Sequence, residues 1–490
     1  MPVLHDSGVG FYGADLVMKL IRRQKIWLAI IVVANLALWL IPSDVVEQIA
    51  RDRQTMLGRY SRQHFTWIVG IGFFSAISLY VDWATGVAYK RRWFQVIAVL
   101  LLLAPTVAVV DWLTRSPQRS HYIQDTLAYH HPPESEFQRE YTDRPEAHRT
   151  YPDAPAGYGT VRCTLNTDRR GFRNQQELDQ YAVVAIGDSF TEGSNVSDEH
   201  TWPARLNRDG GLSVYNMGVS GYDPIHYLAA LREYALALKP RFVVCMLYEG
   251  NDFRSAKSDL KRTGMSASRR LSRYIKQSPV IDSIDRFLID TFSPINCQGS
   301  VAGIELLDWM PLRIPDSRDA KYYAFAPKQL RDLYITREEF SRDKHWLNPR
   351  SLLAEMDALC RESGVTLVIA YAPTKAHVVL PLAADRLPAH KVRDFTAFSY
   401  KYELPEPDQF LPALVDRVES REVVVGQWCA KQNIEFISVT ESLRTAAQNG
   451  TQVYYAYDQH WTPEGHAVVS ERVGQVLNQL AGNVADAATH

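Results

Sequence analysis

Hydrophobic and polar residues follow two different patterns along this chain. Before about residue 115 the apolar residues form three long stretches, whereas after about residue 176 short apolar runs alternate with longer amphipathic segments. Short continuous apolar runs separated by helical segments are typical of a parallel sheet that is covered on both faces. The pattern therefore predicts an N-terminal α-helical transmembrane region followed by a three-layer α/β/α domain.

The three apolar stretches predict membrane spans at about 26–46, 65–85 and 93–113, within a transmembrane region at 1–115. A helix needs roughly 20 residues to cross the hydrocarbon core, which each stretch supplies. A signal peptide is the alternative for the first stretch, because Arg22, Arg23 and Lys25 precede it. Two further apolar stretches and the lack of a small-residue cleavage site favour an anchor.

Basic residues predict the orientation of these spans. Lys19 to Lys25 precede the first span, and Lys90 to Arg92 separate the second from the third. Both clusters should face the cytoplasm, although the arginines between residues 51 and 62 oppose this orientation. We therefore expect a multi-pass cell-membrane protein whose remaining domain is extracytoplasmic and whose first region contacts the lipid bilayer.

Residues 116–175 are predicted to form a linker and lead-in segment. The part up to about Gly159 is rich in Pro, His and Tyr and has no helical or strand periodicity, which favours an extended connection. The pair His130 and His131 suggests a metal site. Two adjacent histidines without further ligands are more typical of a solvated linker, so no metal is predicted.

Residues 176–490 carry the alternating pattern. The predicted strands are Tyr181 to Ile186, Leu212 to Asn216, Arg241 to Leu247, Val365 to Tyr371 and Ile434 to Ser438. The predicted helices are Trp202 to Leu206, Pro224 to Leu238, Pro349 to Ser363, Pro412 to Asn433 and Pro463 to Leu480. Pro224, Pro349 and Pro463 each suit the first turn of a helix.

Two insertions, at about 253–348 and 376–408, interrupt the alternation. The first carries eight basic residues between Arg254 and Lys276, which suit an anionic glycan, lipid headgroups or simply a solvated helix face. The second is rich in Pro, His and Leu and should shape substrate access above the active-site rim.

Candidate chemistry lies at the ends of the predicted strands. Gly187, Asp188 and Ser189 follow the first strand, and a serine hydroxyl becomes a nucleophile when a base removes its proton. His460, in the run from Asp458 to His466, is the candidate base. The segments Asn216 to Gly221 and Gly250 to Asp252 offer hydrogen-bond donors for an oxyanion.

In this order, the four segments resemble the blocks of the SGNH (GDSL-type) hydrolase and acyltransferase family. The resemblance implies a flavodoxin-like α/β/α fold, with Ser189 as nucleophile. It also implies an oxyanion hole formed by the backbone N–H groups of Ser189 and Gly221 and the side-chain amide of Asn251. Gly218 is the alternative to Gly221.

The same resemblance assigns His460 as the base and Asp458 as the residue that orients it. The commonest family pattern places the aspartate three residues before the histidine, whereas here Asp458 stands two before. Asp-x-His-Trp followed by Thr-Pro resembles the membrane-linked, alginate O-acetylation-type members. His466 is the competing base.

Two weaker similarities concern cations. The segment Leu165 to Arg173 resembles one that precedes the first block in anchored members, and Tyr371 to Lys375 follows the fourth strand. Lys375 and Arg173 are therefore predicted to meet a negatively charged substrate group, with ordinary surface positions as the alternative.

Composition excludes several classes of protein. The net charge of −1 favours neither nucleic acid nor acidic ligands. The five cysteines are scattered without zinc-like spacing, and no glycine-rich phosphate loop is present. We expect no metal, no cofactor and no nucleic-acid partner.

These features together predict a membrane-anchored serine esterase. Its expected substrate is an ester, of O-acetyl type, on a cell-envelope carbohydrate, cleaved through an acyl-serine intermediate. An O-acetyltransferase of extracytoplasmic polysaccharide is the alternative, and it would need a separate partner that transports the acyl donor. A second alternative is a non-catalytic glycan-binding scaffold.

Overall fold

The computed structural model describes residues 26–41, 55–56, 60–82, 88–99, 128–144, 157–254, 310–314, 321–397 and 403–488. The chain divides into two compact units. One comprises residues 1–115 and 266–299, and the other comprises residues 116–265 and 300–490.

In the first unit, helices cover residues 26–40 and 88–99 and Arg62–Asp82, and the short strands Thr55–Met56 and Tyr60–Ser61 pair antiparallel. Helix 26–40 and helix Arg62–Asp82 are joined by polar side chains. Trp27 Nε1 donates to Ser78 Oγ at 2.7 Å, and Asn35 Nδ2 donates to Ser75 Oγ at 3.0 Å.

Among the helices that the structure describes, none combines the length and the apolar character that crossing a bilayer requires. Residues 42–46, 83–87 and 100–113, which contain parts of the predicted spans, lie outside the described residues. The membrane spans stay a prediction.

The second unit is built on one five-stranded parallel sheet. Its strands are β1 (Val183–Ile186), β2 (Val214–Asn216), β3 (Phe242–Tyr248), β4 (Thr366–Ala372) and β5 (Glu435–Ser438), in the order β5-β4-β3-β1-β2. Each corresponds to a strand predicted from the sequence. The predicted α/β class with a parallel sheet is confirmed.

Both faces of this sheet are covered by hydrophobic cores. Along β1, Val183 and Ala185 belong to one core, while Val184 and Ile186 belong to the other. Successive side chains of a strand point to opposite faces, so a strand buried on both sides must be apolar at every position. This explains why the strands appear in the sequence as unbroken apolar runs.

Helices connect and flank these strands. They are Ser189–Glu192, Asp198–His200, Trp202–Asp209, Pro224–Ala230 extended by Leu231–Ala235 and Leu236–Leu238, Asp252–Arg254, Pro327–Leu333, Arg337–Arg342, Lys344–Glu362, Lys375–Val379, Ala384–Arg386, Ala389–Ala397, Pro407–Arg417, Ser420–Gln432, Thr440–Gln448 and Pro463–Ala488.

Two predicted helix starts, at Pro412 and Pro349, differ from the structure. Pro412 lies inside Pro407–Arg417, and the helix predicted to continue to Asn433 is divided into that helix and Ser420–Gln432. Pro224 and Pro463 begin helices, as expected, but Pro349 lies inside Lys344–Glu362. Asp343 caps this helix by accepting from the backbone N–H of His345 at 2.9 Å. A carboxylate cap satisfies orphan N–H groups at the N-terminus, so the helix begins several residues earlier than the proline suggested.

The predicted linker contains a strand. Glu136–Thr142 pairs antiparallel with Thr160–Asn166, and a second hairpin joins Met310–Arg313 to Tyr322–Phe325. The sequence predicted an extended connection here, and the structure adds that Glu136–Thr142 is paired in a hairpin. This strand alternates between exposed and half-buried positions, so it presents no strongly apolar side that would reveal it.

The structure describes only part of the first predicted insertion and most of the second. Residues 255–309, which carry most of the basic cluster of the first insertion, lie outside the described residues. In the second insertion, Ala376, Val378 and Val379 are fully buried in a hydrophobic core, as are Val392 and Phe395. Much of that segment is therefore core structure and not an open loop above the rim.

Candidate active site

Ser189 lies where the chain leaves β1. It is the first residue of the short helix Ser189–Glu192, and Asp188 caps that helix by accepting from the backbone N–H of Phe190 at 3.0 Å. The first N–H groups of a helix have no partner within the helix and carry partial positive charge. The fold thus places a half-buried serine hydroxyl beside donors that favour an anion.

His460 reaches Ser189 across 271 positions of sequence. Its Nε2 lies 2.7 Å from Ser189 Oγ, and its Nδ1 lies 2.6 Å from Asp458 Oδ1. The side chains of His460 and Asp458 are 14% and 27% exposed. Both side chains of this pair are therefore partly accessible to solvent.

The two-residue spacing between Asp458 and His460 has a simple geometry. Asp458 Oδ1 accepts from the backbone N–H of His460 at 2.7 Å as well as from its ring. Asp side chains commonly accept from the backbone two residues on, in an Asx-turn. A single carboxylate oxygen therefore orients both the loop and the imidazole.

Charge fixes the protonation of this pair. Burial raises the pKa of Asp458, but the positive charge and hydrogen bonds of His460 outweigh it and lower that pKa to about 2. Burial lowers the pKa of His460, but the negative charge of Asp458 outweighs it and raises that pKa above its ordinary value. Because a carboxylate only accepts, Nδ1 carries the proton, and the Nε2 lone pair of the neutral ring faces the Ser189 hydroxyl.

Gly221 and Gly218 have different tasks. The N–H of Gly218 donates to Asn216 Oδ1 at 2.9 Å, and a Cβ on Gly218 would lie 2.2 Å from the backbone nitrogen of Glu192. Gly218 is thus needed for close packing against the helix of the nucleophile. Gly221 has a φ of +86°, which favours glycine, and its N–H meets no acceptor among the described residues.

Asn251 contacts Asp188, which directly precedes Ser189. Its Nδ2 donates to Asp188 Oδ2 at 2.9 Å, and an amide nitrogen carries a second hydrogen. Asp188 is fully buried, and this burial raises its pKa to about 6. The oxyanion role that the family resemblance implies for Asn251 stays a prediction.

Lys375 has protein partners in place of a substrate anion. It is fully buried, and its Nζ donates to the backbone oxygens of Tyr455, Ala456 and Asp458 at 2.9, 2.6 and 2.8 Å. Burial lowers its pKa to about 7. The expected substrate contact is replaced by support of the loop that carries Asp458 and His460.

Arg173 is also committed within the protein. It is 5% exposed, and its Nε donates to Asp198 at 2.5 Å. Its two terminal nitrogens donate to the backbone oxygens of Glu192, Gly193, Thr164 and Val196. With each nitrogen already bonded, Arg173 ties the lead-in segment to the nucleophile helix and offers no N–H to a substrate.

His466 does not compete with His460. It is 1% exposed, and its Nδ1 accepts from the backbone N–H of Trp202 at 3.3 Å. Burial holds its pKa well below the ordinary value, so the ring is a neutral acceptor. His466 joins two helices of the core.

Sequence reasoning missed a buried group around Glu192. His130 and His131, interpreted as solvated linker residues, are both buried, and His131 Nε2 lies 2.6 Å from Glu192 Oε1. The Ser220 hydroxyl donates to the other oxygen of Glu192. Burial raises the pKa of Glu192, but the hydrogen bond from His131 outweighs it and lowers that pKa to about 2. The sequence signal for this group was Glu192 itself, an ionisable residue in the segment that follows Ser189.

Two further expectations concern metals and cysteines. Within the described ranges, no group of three or more His, Cys, Asp or Glu side chains is arranged to hold a metal ion. Cys163, Cys245, Cys360 and Cys429 are buried free thiols, and Cys297 lies outside the described residues.

Comparison with known proteins supports the resemblance to the SGNH family. Residues 333–490 match the family described as "ALGX: SGNH hydrolase-like domain, acetyltransferase AlgX". The matched segment contains Asp458 and His460, whereas Ser189, Gly221 and Asn251 precede it. The resemblance to SGNH proteins predicted from the sequence is confirmed. No curated protein matches the chain.

Two solved structures illustrate the likeness to other proteins. A putative lipolytic protein of the G-D-S-L family from Desulfitobacterium hafniense has 14% identity and a TM-score of 0.29, with 60% of this chain and 98% of that chain covered. An acetyl-xylooligosaccharide esterase mutant from Geobacillus has 12% identity and a TM-score of 0.28, with 61% and 94% covered. At these scores neither likeness bears on the activity.

Proposed function

We propose that this chain is an ester-acting enzyme of the SGNH type, in which Ser189 carries the acyl group as a covalent intermediate. The observation that carries the proposal is the contact of His460 Nε2 with Ser189 Oγ at 2.7 Å, with Asp458 bonded to the opposite ring nitrogen. A nucleophile, a base and a group that orients the base together form the arrangement that activates a hydroxyl.

The first half-reaction follows from this geometry. Ser189 Oγ attacks the ester carbonyl as its proton passes to His460 Nε2, and Asp458 stabilises the imidazolium. The carbonyl oxygen becomes an oxyanion that receives hydrogen bonds from the N–H groups of Ser189 and Gly221 and from Asn251. The intermediate then collapses, the C–O bond of the ester breaks, and the leaving alcohol takes the proton from His460. Ser189 is left acylated.

The second half-reaction decides between hydrolase and transferase. A hydroxyl attacks the acyl-serine, its proton passes to His460, and the Ser189 alcohol is restored when the acyl–oxygen bond breaks. Water as the attacker releases a carboxylic acid, and a glycan hydroxyl gives a new ester. We place hydrolysis of an O-acetyl ester on a cell-envelope carbohydrate first.

O-acetyl transfer is the second candidate function, and the family match favours it. The family matched by residues 333–490 is described as an acetyltransferase. In that case the acetyl group would come to Ser189 from a donor, and a separate partner would deliver that donor. A non-catalytic glycan-binding scaffold would not need a histidine at hydrogen-bond distance from the serine.

Acetate release from an acetylated oligosaccharide, and from p-nitrophenyl acetate, tests the proposal. We expect the unmodified protein to release acetate and Ser189→Ala to release none above background. In mass spectrometry of trapped enzyme, the Ser189 peptide should gain about 42 Da, because one acetyl group replaces one proton. An unacetylated oligosaccharide acceptor distinguishes the two outcomes: if it diverts the acetyl group from water, the enzyme is a transferase. Failure of the protein to form an acyl-enzyme from any ester would overturn both.

We also propose that residues 1–115 attach the enzyme to a membrane and that the domain with Ser189 is extracytoplasmic. The support is the hydrophobic pattern and the position of the basic residues in the sequence. Cell fractionation tests attachment, and accessibility of a domain epitope to protease in spheroplasts tests orientation. Recovery in the soluble fraction, or protection from added protease, would contradict the respective part.

A further inference from the structure

The buried carboxylate of Glu192 connects the helix that begins at Ser189 to residues 218–222, the oxyanion segment, which contains Gly221. Glu192 is the last residue of the short helix that Ser189 begins, and it is fully buried. The Ser220 hydroxyl donates to Glu192 Oε2, and Ser220 directly precedes Gly221. Two groups that must keep a fixed separation in the reaction, Ser189 and the Gly221 N–H, are thus joined by one side-chain hydrogen bond.

The other oxygen of Glu192 is held by the lead-in segment. His131 Nε2 lies 2.6 Å from Glu192 Oε1, and the backbone N–H of His131 donates to Gly171 O at 3.1 Å. Because a carboxylate with both oxygens bonded cannot rotate freely, the direction in which it receives the Ser220 hydroxyl is fixed.

Tyr129 covers the same segment from outside. Its hydroxyl donates to Ser220 O at 3.2 Å and would lie 3.1 Å from a Cβ on Gly221. The hydroxyl of Tyr222 in turn donates to the backbone oxygen of Tyr129 at 2.5 Å. Tyr129 therefore contacts the oxyanion segment, while His131 contacts the helix Ser189–Glu192, so the lead-in segment touches both.

We propose that Glu192 is a positioning residue, which acts through Ser220 to hold the Gly221 N–H at the place where the oxyanion of the reaction forms. This inference rests on the proposed function, since it assigns a role within that reaction. Burying a carboxylate is costly unless its oxygens accept hydrogen bonds. One of the bonds that Glu192 accepts comes from Ser220, next to the Gly221 N–H whose position the reaction requires.

Ser220→Ala is the variant that tests the connection. Removing the hydroxyl breaks the bond to Glu192 and should loosen the placement of Gly221, while the bond from Tyr129 to the backbone oxygen of Ser220 remains. We expect kcat for p-nitrophenyl acetate to fall about tenfold to a hundredfold with KM within about twofold, because the displaced donor acts on the transition state. Ser220→Thr retains a hydroxyl and should recover most of kcat.

Ser194→Ala is the matched control. Ser194 Oγ lies 3.3 Å from Ser220 Oγ, so the change removes a serine hydroxyl from the same neighbourhood without removing the bond to Glu192. We expect kcat within about threefold of the unmodified protein. Equal losses in Ser194→Ala and Ser220→Ala, or no recovery in Ser220→Thr, would overturn the positioning role.

Hydrogen–deuterium exchange provides a readout that does not need activity. In Ser220→Ala, the peptide covering residues 218–222 should exchange about fivefold faster or more than in Ser194→Ala, since the bond to Glu192 no longer closes the segment. Unchanged exchange would overturn the inference even if the enzyme is active. A protein that hydrolyses no ester, but shows the faster exchange, would overturn the proposed function and the catalytic purpose of the connection, while the contact itself would stand.

Discussion

Several carboxylate–histidine pairs lie in the α/β domain, and two of them, Asp458–His460 and Glu249–His377, differ sharply in their environment. Asp458 and His460 are partly exposed, and the free ring nitrogen of His460 faces Ser189. Glu249 and His377 are completely buried, with 3.1 Å between Glu249 Oε1 and His377 Nδ1. The same two chemical groups thus form a partly exposed candidate base in one place and a buried ion pair in the other.

The environment of each pair explains the difference. Glu249 also accepts from the Tyr371 hydroxyl and from the backbone N–H and hydroxyl of Thr374. Burial opposes both charges, but the mutual attraction outweighs it, so the pKa of Glu249 is lowered and that of His377 is raised. A histidine is available to a substrate only where solvent and a nucleophile reach it, so the pairing alone does not identify a base.

The largest effect should follow from His460→Ala. Loss of the general base leaves the Ser189 hydroxyl unactivated, and we expect kcat to fall by about 10⁴-fold or more. Steady-state hydrolysis of p-nitrophenyl acetate measures it, with His377→Ala as the histidine control. Comparable losses in the two variants would remove the distinction between the pairs.

Asp458→Asn should reduce kcat by about 10³-fold and move the pH profile. Attack needs neutral His460, so kcat/KM rises as pH rises through the pKa of His460, which Asp458 holds above its ordinary value of 6.5. Removing the negative charge lowers that pKa, so the acid limb of kcat/KM shifts to lower pH. An unshifted limb would show that Asp458 does not act on His460.

His377→Ala should mainly affect stability. It leaves Glu249 buried without its cation, which typically costs about 3 kcal/mol of unfolding free energy. The lowered pKa of Glu249 contributes stability above its ordinary value of 4.5, and the raised pKa of His377 contributes stability below its ordinary value of 6.5. The loss, measured by urea denaturation, should therefore be largest between these two pH values.

The smallest effect is expected from a matched surface pair. His345 lies 2.7 Å from Asp343 with 49% and 32% of their side chains exposed. Since water screens an exposed pair, His345→Ala should change the unfolding free energy by less than about 1 kcal/mol. A loss as large as that of His377→Ala would show that burial does not separate these pairs.

The sequence by itself determined the architecture and the chemical groups. All five strands of the sheet were predicted, because strands buried on both faces require unbroken apolar runs. The sequence identified Ser189, Asn251 and His460 as candidate site residues, because the motifs that contain them are specific in combination. The structure brings Ser189 and His460 to hydrogen-bond distance, and their catalytic roles stay predictions until they are measured.

Only the tertiary structure decided which charged residues face a substrate. Lys375 donates to a backbone oxygen 83 positions away and Arg173 to one 23 positions away, and no local sequence pattern indicates such an acceptor. The same holds for His131, whose buried contact with Glu192 spans 61 positions. Hydrophobic periodicity is a property of residues that are neighbours along the chain. A buried charge needs hydrogen-bond partners, and these come from residues that only the folded chain brings next to it.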